Sequence, residues 1–474
     1  MLFNSLIFFL FSFLFFTFFG IVKKLNVRYA WIYIVFFSFV FYGWWDWRFI
    51  FLIIGSGVID FFAGYAIHNK PKFKKLWLTL SIIGNLGSLA AFKYSKFLLT
   101  EIDSLFTRFD ITLSLSNNLP EFLYILPVGI SFYTFQSMSY TIDIYKGQLK
   151  PVKNIFHFFA YLSLFPQLVA GPIVRSKTLL PQLIKLKKTD EIERWHGLKL
   201  IAFGFFKKVF LADNIAPFVN TGFADINQTN STLYWWLVML GFAFQIYLDF
   251  SGYTDIARGL AKWMGFHFKM NFNHPYRSTS MREFWQRWHI SLSTWFRDYL
   301  YVPLGGSKKG KLRSHLNMWI TMAVSGFWHG ASWNFIIWGW LHAIYMSIER
   351  LTKWPKFLSK NSLKPLAILL VMFQVLIAWV FFRAQTFSDA IVIIKNMLVF
   401  NTNIEFSINA DVRNGLYYIL FALLIEYIFI RFTIRKVFKN KKILLYLEPI
   451  LMAILIAVSV FLRGKGQEFI YFQF

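Results

Sequence analysis

The apolar residues of this 474-residue chain arrive in long blocks, repeated from one end to the other. They recur near 2–22, 29–45, 48–67, 76–99, 121–145, 155–174, 198–220, 232–260, 316–329, 332–348, 365–383, 414–432 and 443–462. A helix needs about 20 such residues to cross a bilayer, and it satisfies its own backbone polar groups as it does so. The blocks therefore predict an all-α polytopic membrane protein, with about eleven spans plus re-entrant or interfacial pieces. Interrupted segments such as Leu126-Pro127-Val128-Gly129 are tolerated at depth only where protein or a water-filled cavity surrounds them.

Composition agrees. Only 15% of residues are charged, against about 25% in soluble domains. Cysteine is absent, which excludes disulfides and thiolate metal sites. A net charge of +27 can signal nucleic acid, but in a membrane chain positive-inside loops explain it first. Basic clusters at Lys70–Lys75, Lys185–Lys188, Lys207–Lys208, Lys308–Arg313 and Arg431–Lys442 separate several blocks. The stretches 103–120 and 400–413 are poorer in Lys and read as extracytoplasmic loops. Met1–Val22 has no basic residue ahead of its apolar run, and Lys23–Lys24 follow it. It is expected to be a first span with its start outside, rather than a cleaved leader. With no internal repeat or long linker, 1–474 reads as one membrane domain.

One stretch departs from the hydropathy pattern. From Met281 onward the spacing predicts a single amphipathic helix. Arg282, Gln286, His289, Ser293 and Arg297 fall on one side; Phe284, Trp288, Leu292, Trp295 and Tyr299 fall on the other. Periodicity alone reads first as a surface-bound helix without chemistry. His329 then ends a charge-free block, Leu316–Trp328, and is bracketed by Gly326 and Gly330. An ionisable group at membrane depth is a functional candidate, and flanking glycines let a backbone or an elongated ligand approach. A core histidine bonded to a neighbour explains it equally well. Asp249, one turn after Gln245, can orient a catalytic group, line an acceptor path or serve structure. His342, beyond Asn334, reads as a packed, satisfied histidine. No His-x-x-x-His or carboxylate cluster suggests a metal, and no Gly-x-Ser-x-Gly elbow suggests a serine hydrolase. Two histidines on neighbouring elements suit proton removal from an alcohol.

The motifs resemble those of bacterial membrane-bound O-acyltransferases, specifically the alginate O-acetylation branch. Phe284-Trp285-Gln286-Arg287-Trp288-His289-Ile290-Ser291-Leu292-Ser293 and Trp295-Phe296-Arg297-Asp298-Tyr299-Leu300-Tyr301-Val302-Pro303-Leu304-Gly305-Gly306 are similar to its core motif. Trp328-His329-Gly330-Ala331-Ser332-Trp333-Asn334 resembles the catalytic histidine motif. Further fits run in order from Pro127–Gln136 through Phe165–Ile173, Phe206–Lys208 with Ala212–Asn214, Asp249–Asp255 and Phe469–Phe474. Several short motifs in one order carry what no single one would.

The resemblance implies a ring of transmembrane helices around a thinned centre, with a tunnel joining the two faces. It implies His329 as general base and His289 as the second histidine, positioning donor or acceptor. Arg287, Trp288 and Arg297 would contact the donor at its entrance, and Asp249, Asn334 and Trp285 would support the tunnel. No cofactor or metal is expected; acetyl-CoA would be the acyl donor. Expected partners are membrane lipid, a polysaccharide acceptor such as alginate or peptidoglycan, and a periplasmic or surface-anchored esterase-like protein that completes transfer. The expected location is the bacterial inner membrane. D-alanyl transfer to teichoic acid from a carrier protein is the rival within the family. A transporter or scramblase without chemistry is the rival outside it.

Overall fold

The computed structural model describes residues 1–186, 189–360, 362–401, 410–431 and 441–470, which form helices and connections with no strand. Lys187–Lys188, residues 402–409 of the expected outer loop, 432–440 of the last basic cluster and Tyr471–Phe474 lie outside the described residues.

The chain divides into two compact units. The first, Met1–Leu198 with Ala257–Lys269, carries α1 (Leu6–Leu25), α2 (Val27–Asp46), α3 (Ile50–Asn69), α4 (Lys74–Leu89), α5 (Ile130–Tyr145) and α6 (Ile155–Leu162). Ser5 starts α1 by accepting the Phe8 amide on its hydroxyl. Phe8, Phe11, Phe15 and Phe19 then fall on one buried stripe, while Leu6, Phe9, Phe13 and Phe18 face outward. An apolar exterior around a narrow packed stripe is what a lipid-facing helix requires.

A polar network joins α3, α4 and α5. The Asp60 carboxylate accepts from Ser81 Oγ at 2.5 Å, from Asn85 Nδ2 at 2.8 Å and from Ser137 Oγ. Three donors compensate a carboxylate that is fully buried, and they fix how these helices meet. The interruption expected near Pro127 is present. Gly129 takes φ 76°, and a Cβ there would lie 2.5 Å from the Leu168 carbonyl oxygen, so α5 starts only at Ile130.

The second unit, Lys199–Ile256 with Met270–Phe474, carries α7 (Asp213–Ala224) and most of α8 (Thr232–Met264). After these come α9 (Met281–Arg287), α10 (Ile290–Phe296), α11 (Lys311–His329), α12 (Trp333–Thr352), α13 (Lys364–Arg383), α14 (Ala410–Arg431) and α15 (Lys441–Phe461). α11 and α12 form an antiparallel pair in near backbone contact. A Cβ at Gly326 would collide with the Phe335 carbonyl oxygen, and one at Gly339 with that of Met322.

Five helical stretches among the described residues are long and apolar enough to cross a membrane: Leu6–Leu25, Val27–Asn69, Pro71–Thr107, Thr232–Met264 and Lys364–Arg383. The chain is thus a multi-pass membrane protein. Other apolar blocks, such as 121–145 and 316–329, yield helices that are broken or rich in polar groups.

Candidate active site

His329 is the last residue of α11 and is 4% exposed. Three aromatic rings enclose it edge-on: Trp328 at 4.9 Å, Trp338 of α12 at 5.0 Å and Phe382 of α13 at 5.3 Å between centroids. The brackets Gly326 and Gly330 admit protein here, the backbone and the ring of Phe335 respectively. Ser332 caps α12 by accepting the Asn334 amide, and Asn334 Nδ2 donates to the Ala384 carbonyl oxygen at 3.0 Å. Asn334 therefore ties the turn after His329 to the end of α13.

His289 corrects the expectation of one continuous amphipathic helix. The helix stops at Arg287; Trp288 is extended; His289 takes φ 41° and ψ 55°; and α10 begins at Ile290. Arg282, Gln286 and Arg297 are exposed, as a polar face should be, but the break turns His289 away from them to full burial. A left-handed conformation costs a residue with a Cβ about 1–2 kcal/mol, so the surroundings must impose it. They do so through Asn271, whose carbonyl oxygen accepts the Ile290 amide at 2.9 Å and whose Oδ1 accepts the Ser291 amide at 3.0 Å. The Asn273 amide donates to the Arg287 carbonyl oxygen at 2.9 Å. At the other end of α9, the buried Glu349 of α12 accepts the Met281 amide at 2.5 Å, a carboxylate at the positive end of a helix. Nothing in the sequence singled out Asn271 or Glu349, because they act on backbone far away along the chain.

The His289 ring meets Phe250 of α8 at 4.7 Å, Phe272 at 6.2 Å and Trp328 at 6.4 Å. Burial pushes its imidazole from the ordinary 6.5 down to about 3, so the neutral form holds near neutral pH.

The other expected residues separate into three groups. Trp285 and Arg297 border a cavity of about 130 Å³, with Ser293, Met318, Met322 and Ser325 among its other walls. Ser325 lies one helical turn before His329. Sites for drug-sized ligands start at about 300 Å³, so this one suits a small group or a narrow arm. Trp288 is 2% exposed and belongs to the aromatic core, stacked on Phe284 at 5.6 Å. Arg287 pairs with Glu283 at 2.8 Å and donates to the Asn273 carbonyl oxygen at 3.1 Å. Both brace the broken helix.

Asp249 has a structural setting the sequence did not disclose. Lys208 Nζ lies 2.8 Å from Asp249 Oδ1 and 2.9 Å from Asp213 Oδ1. Asp249 Oδ2 accepts the Ile470 amide at 2.8 Å, and Lys208 donates to the Gln467 carbonyl oxygen at 3.2 Å. The segment near the end of the chain is strapped down, and its Phe469 ring lies 5.6 Å from Phe250, the residue against His289. His342 is packed as expected, but neither of its ring nitrogens has a hydrogen-bond partner among the described residues.

A multi-pass helical protein with two buried histidines on adjoining motifs presents a candidate membrane-embedded catalytic site. The sequence pattern of the MBOAT, membrane-bound O-acyltransferase family matches residues 145–388, and the chain belongs to that family. It is an O-acyltransferase. It is 38% identical over 394 residues to the protein named probable alginate O-acetylase in Pseudomonas aeruginosa, covering 81% of this chain and 73% of that one. It is 36% identical over 394 residues to the peptidoglycan O-acetyltransferase of Helicobacter pylori, covering 77% and 73%. To the teichoic acid D-alanyltransferase of Bacillus subtilis it is 28% identical over 260 residues, covering 52% and 66%.

Proposed function

We propose that the whole chain, 1–474, acts in the bacterial inner membrane as one acetyltransferase. It takes acetyl groups from cytoplasmic acetyl-CoA for O-acetylation of an extracytoplasmic polysaccharide such as alginate or peptidoglycan. The observation that carries this reading is His329, buried at the end of α11 one turn from a cavity sized for a small acyl group. Relatives named for alginate and peptidoglycan O-acetylation, similar over most of the chain, support acetyl and a glycan acceptor.

In this reading His329 is the general base. Its imidazole takes the proton from an acceptor hydroxyl as that oxygen attacks the acetyl carbonyl carbon. The carbon–sulfur bond breaks, and the departing thiolate takes the proton back from the imidazolium. His289, held neutral and fully buried, positions the reacting groups. Arg297, at the cavity wall, contacts the donor. A separate extracytoplasmic esterase-like protein receives the acetyl group and completes delivery.

The test supplies labelled acetyl-CoA to the cytoplasmic face of vesicles containing the protein, its partner and a glycan acceptor. Label should enter the glycan with wild-type protein and not with His329→Ala. Undiminished transfer by His329→Ala would remove the base assignment; transfer of D-alanine in place of acetyl would move the chain to the other branch.

A further inference from the structure

Trp338, packed on His329, and two rings that touch it hold polar atoms that take no part in the proton transfer. Trp285 of α9 and Trp338 and His342 of α12 are mutually edge-on. Centroids are 5.0 Å apart for Trp285–His342, 4.8 Å for Trp338–His342 and 5.7 Å for Trp285–Trp338, with interplanar angles of 77–78°. Trp338 and His342 are fully buried. Neither indole nitrogen, and neither nitrogen of His342, has a hydrogen-bond partner among the described residues.

Buried polar groups are nearly always paired, because losing water without gaining a partner destabilises the fold. One orphan is an ordinary exception. Four on three touching rings form a local concentration, and its position is informative. Trp285 also borders the cavity. Trp338 also packs on His329 at 5.0 Å. The rings thus connect the cavity wall to the base.

Their chemistry specifies what they can bind. Two indoles and one neutral imidazole offer three N–H donors and a single acceptor. At their N–H edges these groups offer little to a cation and nothing to an alkyl group. The set complements an oxygen bearing negative charge, and more strongly as the charge grows in apolar surroundings.

We infer that Trp285, Trp338 and His342 form the receiving site for the acyl carbonyl oxygen. This rests on the proposed acyl transfer with His329 as base. As the acceptor oxygen bonds to the carbonyl carbon, the carbonyl π pair moves onto this oxygen, where the N–H groups hold it. The pair returns as the carbon–sulfur bond breaks, and the proton passes from His329 to the departing sulfur.

Phenylalanine keeps an aromatic ring at each position and removes the nitrogen, although it is smaller than an indole, so Trp285→Phe, Trp338→Phe and His342→Phe are the variants, with His342→Gln to restore a donor. Purified in detergent, His342→Phe should melt near the wild-type temperature, since two orphaned polar atoms are gone, whereas the Trp→Phe variants should melt somewhat lower because each smaller ring opens a small cavity. Acetyl transfer should fall about 100-fold in His342→Phe, the usual effect of losing one such donor, with little change in donor KM. His342→Gln should recover part of that loss. Binding supplies a readout apart from turnover. Wild-type protein should prefer the acetonyl thioether of coenzyme A, which has the carbonyl, over the propyl thioether, which lacks it, and His342→Phe should lose the preference. Wild-type rates in all three Phe variants beside an inactive His329→Ala overturn the carbonyl site alone, as does equal binding of both thioethers by wild type. A fully active His329→Ala overturns the transfer reading beneath it. If His342→Phe does not fold, Trp338→Phe and His342→Gln carry the same comparison.

Discussion

The ring of Trp328 stands 4.9 Å from that of His329 and, at 6.4 Å, also adjoins His289. The two histidines, 40 residues apart in sequence (329 − 289 = 40), thus share one indole wall. Trp328→Phe should keep most of that wall and reduce transfer only a few-fold. Trp328→Ala should lower stability by about 3–5 kcal/mol through the cavity it opens and should abolish transfer. Thermal melts in detergent and label transfer in vesicles read the two effects separately.

His289 makes stability depend on pH in a definite direction. Its folded value, about 3, lies below the ordinary 6.5, so between these values the unfolded chain binds a proton that the folded chain refuses. Stability should therefore be full above about 6.5 and fall as the pH drops toward 3. His289→Asn, which tolerates the left-handed backbone, should flatten that part of the curve. An unaltered acid limb in the variant would show that another group controls it.

Lys208 lies between two buried carboxylates, Asp213 and Asp249. Lys208→Met leaves both without their cation and should destabilise by about 3–5 kcal/mol. Adding Asp249→Asn should recover part of the loss. Both variants should release the segment around Ile470, which limited proteolysis near the end of the chain would detect.

Glu426 of α14 accepts from His274 Nδ1 at 2.6 Å and from the Tyr247 hydroxyl at 3.3 Å. His274 has φ 48° and ends the loop whose Asn271 and Asn273 hold the break at His289. Glu426→Leu should loosen that loop, raise hydrogen exchange at the Ile290 and Ser291 amides, and lower kcat about tenfold, equivalent to about 1.4 kcal/mol. Glu426→Gln, which still accepts a hydrogen bond, should stay near wild type in both measurements.

Gly326→Ala puts a Cβ into the Phe335 carbonyl oxygen. The α11–α12 pair should part, at a cost of about 1–3 kcal/mol, and His329 should shift from its aromatic box. A melt lowered together with transfer is the expected result; a wild-type melt would show that the helices can separate freely.

What the sequence determined by itself was the solvent and the chemistry. Long apolar blocks can only be helices in lipid, because no other local structure satisfies the backbone there. Several motifs in one order, those around His289 and His329 among them, brought out the family, and His329 is buried one helical turn from Ser325 of the cavity wall. Tertiary structure decided where the second histidine points. A 3.6-residue period put His289 on the polar face with Arg282 and Gln286, since periodicity assumes an unbroken helix. Asn271, on a distant stretch, holds the backbone in a left-handed turn that no local preference would choose, and that turn buries the ring. The setting of Asp249 and the lack of a hydrogen-bond partner for the His342 nitrogens among the described residues were hidden for the same reason. Each depends on which groups from other elements come within 3 Å or fail to, and spacing along one helix does not contain that information.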